Sequence, residues 1–221
     1  MRKLMPLLFV ITIILSLTAC DCEEPKKENA RLINLTHVKN RVAAYYEKGE
    51  YEKELKKIVD ETLAHFADYD FTDSTAVVFD IDETTLSNYA HIKEINFGYE
   101  PTIWDAWVLK EEATAILEVK RLYDFFVENN VSIFFITGRK VHTCGATYNN
   151  LMKTGYTRID TLICKPQVKG LKAADYKPKH RENLSKMGYD IIACIGDQHS
   201  DLNGEYTGLK VKLPNYMYEV K

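Results

Sequence analysis

The stretch Ala76-Val77-Val78-Phe79-Asp80-Ile81-Asp82-Glu83-Thr84 decides the fold. Its apolar, β-branched first half reads as a strand buried on both faces, and two aspartates one residue apart follow directly at its end. Two carboxylates held this close repel each other, so a bound cation or a shared proton is the reason to keep both. The carboxyl ends of strands in open α/β sheets are where ligands sit, so position and chemistry agree on a catalytic site.

Working outward, the same grammar repeats. Val131-Ser132-Ile133-Phe134-Phe135-Ile136 predicts a second buried strand ending in Thr137-Gly138-Arg139. Residues 160–164 predict a third, and 190–195 a fourth that ends in Gly196-Asp197-Gln198-His199-Ser200-Asp201, with a fifth at 209–213. Helical periods intervene, over 115–126, on to Lys153 and over 178–187, the last starting at Pro178 and closing at Gly188. Alternating strands and helices predict an α/β fold with a parallel sheet and one active edge. Residues 30–68 read as two amphipathic helices separated at Gly49, the first with Leu32, Ile33, Leu35, Val38, Val42, Tyr45 and Tyr46 on its apolar side. His37 and His65 in these helices lack a second ligand at metal spacing. An insertion over 88–112 carries Tyr89, Phe97, Tyr99, Trp104 and Trp107. It suits a small cap that stacks on a substrate ring, although for any single ring the plainer expectation is burial against its neighbours.

The strand ends assign roles. Asp80 is the expected nucleophile, since a carboxylate attacking phosphorus divides hydrolysis into two easier displacements. Asp82 then serves as general acid and base, and an acid that must begin protonated predicts an acidic optimum. A dianionic phosphate approaches such acids only when their charge is neutralised. Mg²⁺ suits an all-oxygen site, with Asp80, Asp197 and the Asp82 backbone carbonyl as expected ligands and Asp201 orienting a bound water. Thr137 and Gly138 supply a hydroxyl and amides for phosphoryl oxygens. Lys165, Lys169, Lys172, Lys177 and Lys179 crowd one region, and spacing does not choose among them.

The N-terminus is of another kind. Arg2 and Lys3 precede an apolar run over 4–17, and Leu17-Thr18-Ala19-Cys20 places small residues before a cysteine. This predicts a lipoprotein signal over 1–20 with Cys20 lipidated, an exported chain anchored to a membrane of the bacterial cell envelope, since the run is shorter than the ~20 residues of a spanning helix. Residues 21–29 read as a solvated linker, and 30–221 as one domain. The net charge of −3, with no basic stripe, excludes nucleic acid polymer as a partner, and nothing specifies an oligomer. Of the five cysteines, Cys164 and Cys194 fall in apolar runs where a free thiol behaves as a small hydrophobe, and no spacing matches zinc.

Phe79-Asp80-Ile81-Asp82-Glu83-Thr84, Ile136-Thr137-Gly138-Arg139, Lys177 and Gly196-Asp197-Gln198-His199-Ser200-Asp201 resemble the four motifs of the haloacid dehalogenase superfamily, within it the acid phosphatase subfamily IIIB. Further likeness lies in Asn150-Leu151, Gly155-Tyr156, Tyr176-Lys177 before Arg181, and Lys212-Leu213-Pro214-Asn215 with Met217-Tyr218. The resemblance selects Lys177 from the lysine cluster. It implies a Rossmann-like core, Mg²⁺, and phosphomonoesters such as nucleoside monophosphates as substrates. His199, Tyr216 and Cys144 depart from the plant-like pattern of tryptophan, proline and arginine, which bears on substrate preference. A non-catalytic storage or binding protein on the same fold is the alternative reading.

Overall fold

The computed structural model describes residues 32–220, and the signal, linker and Cys20 expectations lie outside those residues. The compact unit begins at Leu35. Helices α1 (Leu35–Glu47) and α2 (Glu50–Phe66) meet at Gly49, whose φ of 84° suits a residue without a side chain. Strand β1 (Thr75–Phe79) follows, then β2 (Leu86–Ser87), α3 (Tyr89–Glu94), α4 (Pro101–Lys110), β3 (Thr114–Ala115) and α5 (Leu117–Glu128). The second half runs β4 (Ser132–Lys140), a 3-10 turn (Val141–Thr143), α6 (Cys144–Lys153), β5 (Thr161–Lys165), α7 (Ala173–Lys186), β6 (Asp190–Gly196), α8 (His199–Leu202) and β7 (Leu209–Lys212).

Five strands form one parallel sheet in the order β5-β4-β1-β6-β7. From β1 the chain steps outward through β4 to β5, then returns to the far side of β1 for β6 and β7. That reversal at β1 is the switch point beside which ligands bind in such sheets, and β1, β4 and β6 bring the three acidic or Thr-Gly motifs to it. Alternate residues of the buried strands feed two cores. Val77, Phe79, Ile133 and Phe135 pack with α2 and α5 through Leu55, Val59, Leu122 and Phe126. Ala76, Val78, Phe134 and Ile136 pack with Tyr176, Leu184 and Leu202 from α7 and α8. Helices thus cover both faces, which is why these strands read as continuous apolar runs.

The structure corrects several sequence expectations. The apolar side of the first helix does not extend to its start: Leu32, Ile33, Leu35 and Val38 are exposed, and only its last turns reach the core through Val42, Tyr45 and Tyr46. Helix α7 begins five residues before Pro178. Its first turn is tied by the Lys172 amide donating to Asp175 Oδ2 at 3.4 Å, and the helix tolerates one missing hydrogen bond at the proline. Cys164 is not a free thiol. It pairs with Cys144 across 20 residues, Cα atoms 6.0 Å apart, because β5 is an edge strand only half buried and α6 starts beside it; Cys194 is the buried free cysteine among the described residues. The antiparallel pair β2 and β3 was not anticipated; it pins the two ends of the insertion together. No helix among the described residues is long and apolar enough to cross a membrane.

Candidate active site

Strand β1 hands its pairing on to the site. The Asp80 amide donates to the Ile195 carbonyl at 2.9 Å, and the chain then folds back so that the amides of Thr84, Thr85 and Leu86 all donate to the Ile81 carbonyl. Glu83 takes a positive φ of 54° within this turn. The turn holds Asp80 and Asp82 on the lining of one cavity of about 570 Å³, which Lys177, Asp197, Asp201 and Gly138 also line. All the acids proposed from sequence therefore meet.

Asp80 is buried, and its Oδ1 accepts Lys177 Nζ at 2.5 Å; the same ammonium donates to Asp201 Oδ1 at 2.6 Å. Asp80, Asp197 and Asp201 offer oxygens that lie within 4.8 Å of one another. Burial first, then the charge of Asp201, pushes the Asp80 carboxyl well above the usual range, against the pull of Lys177. Burial and Asp201 push Asp197 up to about 6. Burial leads for Lys177 too, lowering it, but Asp80 and Asp201 outweigh that and hold the ammonium charged. Three buried carboxylates with a single ammonium between two of them are short of positive charge. Their donors are all oxygen, as a hard divalent cation prefers, with no histidine or thiolate ligand to suit zinc. Asp201 belongs to this trio rather than standing behind it, and its Oδ2 accepts the Gln198 amide at 2.8 Å. Its approach requires Gly196, where a Cβ would lie 2.4 Å from that of Asp201.

Asp82 stands apart from the trio. Its Oδ1 accepts Asn88 Nδ2 at 2.9 Å and Arg139 Nε at 2.9 Å, and Arg139 Nη2 lies 2.7 Å away. Arg139 reaches it because the β4 ladder is interrupted: Thr137 pairs with Cys164 and Lys140 with Lys165, so Gly138 and Arg139 bulge from the sheet edge. Gly138 lines the cavity, whereas Thr137 is wholly buried and its hydroxyl accepts the Arg139 amide at 3.1 Å. Thr137 thus shapes the bulge, and the Gly138 backbone faces the cavity.

The sequence assigned no role to the residues that support these acids, although Thr84, Arg181, Asn215 and Tyr218 stand in its matching stretches. Thr84 Oγ1 donates to Asp197 Oδ1 at 3.2 Å and accepts the Asp197 amide at 3.0 Å. Asn215 Nδ2 donates to Asp197 Oδ2 at 2.7 Å, and the Val220 amide donates to Gln198 Oε1 at 2.8 Å. Buried Glu83 accepts the Asn88 amide at 2.7 Å and the Tyr218 hydroxyl, and burial with the charge of Asp82 pushes it up to about 8. The C-terminal segment is therefore strapped to the site, and Met217, Tyr218, Glu219 and Val220 form a wall of the cavity. Arg181, fully buried, donates to the Asp201 carbonyl at 2.8 Å. The family likeness in Tyr176-Lys177 before Arg181 was the available signal for it. The insertion divides as well. Tyr89 stacks on Tyr46 and Trp107 on His91, while Phe97, Tyr99 and Trp104 line the cavity.

The sequence model of the HAD superfamily, subfamily IIIB (Acid phosphatase), matches residues 11–221. The chain belongs to that subfamily. The chain is 32% identical over 207 residues to the stem 31 kDa glycoprotein of Glycine max, covering 91% of this chain and 75% of that one. It is 30% identical over 177 residues to acid phosphatase 1 of Solanum lycopersicum, covering 77% and 69%. The class C acid phosphatase from Bacillus anthracis shares the fold, with a TM-score of 0.68 at 23% identity over 85% of this chain and 87% of that one. HAD phosphatases of this kind hydrolyse small phosphomonoesters and typically use a divalent metal, for which the Asp80, Asp197 and Asp201 trio fits.

Proposed function

We propose that this chain is a Mg²⁺-dependent acid phosphatase acting outside the cytoplasm, lipid-anchored through Cys20, with nucleoside monophosphates among its substrates. One observation carries the catalytic part: Asp80 and Asp82 line a single cavity yet have different partners, Asp80 a buried lysine and Asp82 an arginine and an amide. Different surroundings suit different roles. Asp80 attacks phosphorus and becomes an aspartyl phosphate, and Lys177 counters the charge on the transferring oxygens. Asp82 gives a proton to the departing oxygen, then takes one from the water that cleaves the acyl phosphate. Mg²⁺ bound by Asp80 and Asp197, with Asp201 adjoining, would neutralise charge on the incoming phosphate. The Gly138 backbone lines the same cavity and would offer its amide to phosphoryl oxygens. Phe97, Tyr99 and Trp104 offer rings to a substrate base, which supports a nucleotide.

The test is phosphate release from nucleotide and aryl phosphates at pH 5–8, with EDTA and after restoring Mg²⁺. Activity lost with EDTA, regained with Mg²⁺ and absent in Asp80→Asn is the expected result. A folded chain inactive on every ester, or equally active as Asp80→Asn, overturns it. For the anchor, incorporation of labelled fatty acid by the full chain and its loss in Cys20→Ser is expected; label retained in Cys20→Ser overturns it.

A further inference from the structure

We propose that Lys165 and Lys172 form a second anion subsite in the catalytic cavity, so that the preferred ester carries a second phosphate besides the one it surrenders; this rests on the phosphatase reading. The basis is a pair of lysines on the cavity lining that no carboxylate side chain engages. Two of the four cationic side chains lining the cavity are engaged, Arg139 by Asp82 and Lys177 by Asp80 and Asp201. Lys165, at the end of β5, and Lys172, at the start of α7, line it with no side-chain ion pair among the described residues. Glu219 on the C-terminal wall answers one of these charges at most.

The sequence sharpens the point. In a chain of net charge −3, residues 161–174 hold three lysines and no acid. Lys39, Lys48, Lys110, Lys169, Lys179, Lys210 and Lys212 are also without a side-chain ion pair among the described residues, so it is their place on the cavity lining that sets Lys165 and Lys172 apart. Lys165 is half-buried and Lys172 exposed, and the apolar Leu171 and Ala173 line the same cavity. A charge kept half out of water without a partner is unfavourable unless a ligand supplies one. Lysine binds phosphate as a point charge without demanding one fixed geometry, which suits two side chains that line one cavity. With rings from the insertion, the catalytic acids and the two lysines lining one cavity, a nucleoside bisphosphate suits all three.

The experiment compares adenosine 3′,5′-bisphosphate with adenosine 5′-monophosphate on the full chain, at fixed ionic strength and with an aryl phosphate as control. We expect kcat/KM to favour the bisphosphate by about tenfold or more, as charge-assisted contacts of this kind supply. In Lys165→Gln/Lys172→Gln that preference collapses, mainly through KM, while the monophosphate changes by less than about threefold. Lys169→Gln, in the same loop but outside the cavity lining, keeps the preference. Equal loss on both nucleotides in the double variant means that the lysines only steer the ester phosphate, and overturns the subsite. So does a wild type without preference, or a preference that survives both substitutions. A chain inactive on the aryl phosphate fails the phosphatase reading itself, a result separate from any lost preference.

Discussion

Asp80 and Asp82 differ in how each is held, and substitution should separate them. Asp80→Asn removes the attacking oxygen while sparing its volume, so turnover should vanish on every ester. Asp82→Asn keeps an acceptor for Arg139 and Asn88 and removes only the proton carrier, so kcat should fall about 10²–10⁴-fold on alkyl esters. The loss should be smaller on p-nitrophenyl phosphate, whose leaving group needs little protonation. Equal losses on both ester types, by steady-state phosphate release, would remove Asp82 from the role of acid. These two aspartates and Asp197 were legible in the sequence because acids at strand ends have few other uses. The roles of Asn88, Thr84, Asn215 and Tyr218 were not, because a side chain that orients another acid carries no chemistry of its own and its partner can lie far along the chain, as Tyr218 does from Glu83.

At the level of elements, long buried strands announced themselves and short or exposed ones did not. The β2 and β3 pair has two residues a side, too few for any period to show. The β4 bulge left no trace either, since Thr137-Gly138-Arg139 reads equally as a simple strand exit. Cys164 was misread because β5 has the composition of a core strand but sits at the sheet edge, where Cys144 can reach it. That disulfide closes a 20-residue loop, so Cys144→Ser/Cys164→Ser should lower stability by about 3 kcal/mol. Urea titration with and without reductant checks this: reductant should destabilise the wild type and leave the double variant unmoved. The C-terminal strap permits a second prediction. Tyr218→Phe strips a donor from buried Glu83, so it should cost about 1–3 kcal/mol, and kcat should fall with it because Glu83 and Asp82 share Asn88. Unchanged stability would mean that the strap merely rests on the site.

For the molecule as a whole, the parallel sheet with helices on both faces was legible from alternation, and the strand order that gathers the motifs was not, because pairing partners are settled by packing across the entire chain. That gathering has a global consequence. Glu83 is raised to about 8 from its usual 4.5 and Asp197 to about 6, with Asp80 raised as well. Above the usual carboxylate range the folded chain keeps protons that the unfolded chain has released, so stability falls as pH rises, by up to about 1.4 kcal/mol per unit for each such group. His91 and His180, lowered by burial, act in the opposite sense, but their contribution is complete once the pH exceeds their ordinary 6.5. Between pH 6.5 and 8 Glu83, together with Asp80, therefore sets the slope with no histidine opposing it. In EDTA the melting temperature should drop across that window, and Glu83→Gln, which has no proton to lose, should flatten the drop. Added Mg²⁺ competes with protons for the neighbouring acids, so the gain in melting temperature it gives should be larger at pH 8 than at pH 5. A wild-type melting temperature that climbs from pH 6.5 to 8 in EDTA would show that Glu83 is already ionised in the folded chain, with Asn88 and Tyr218 sufficient to hold its charge.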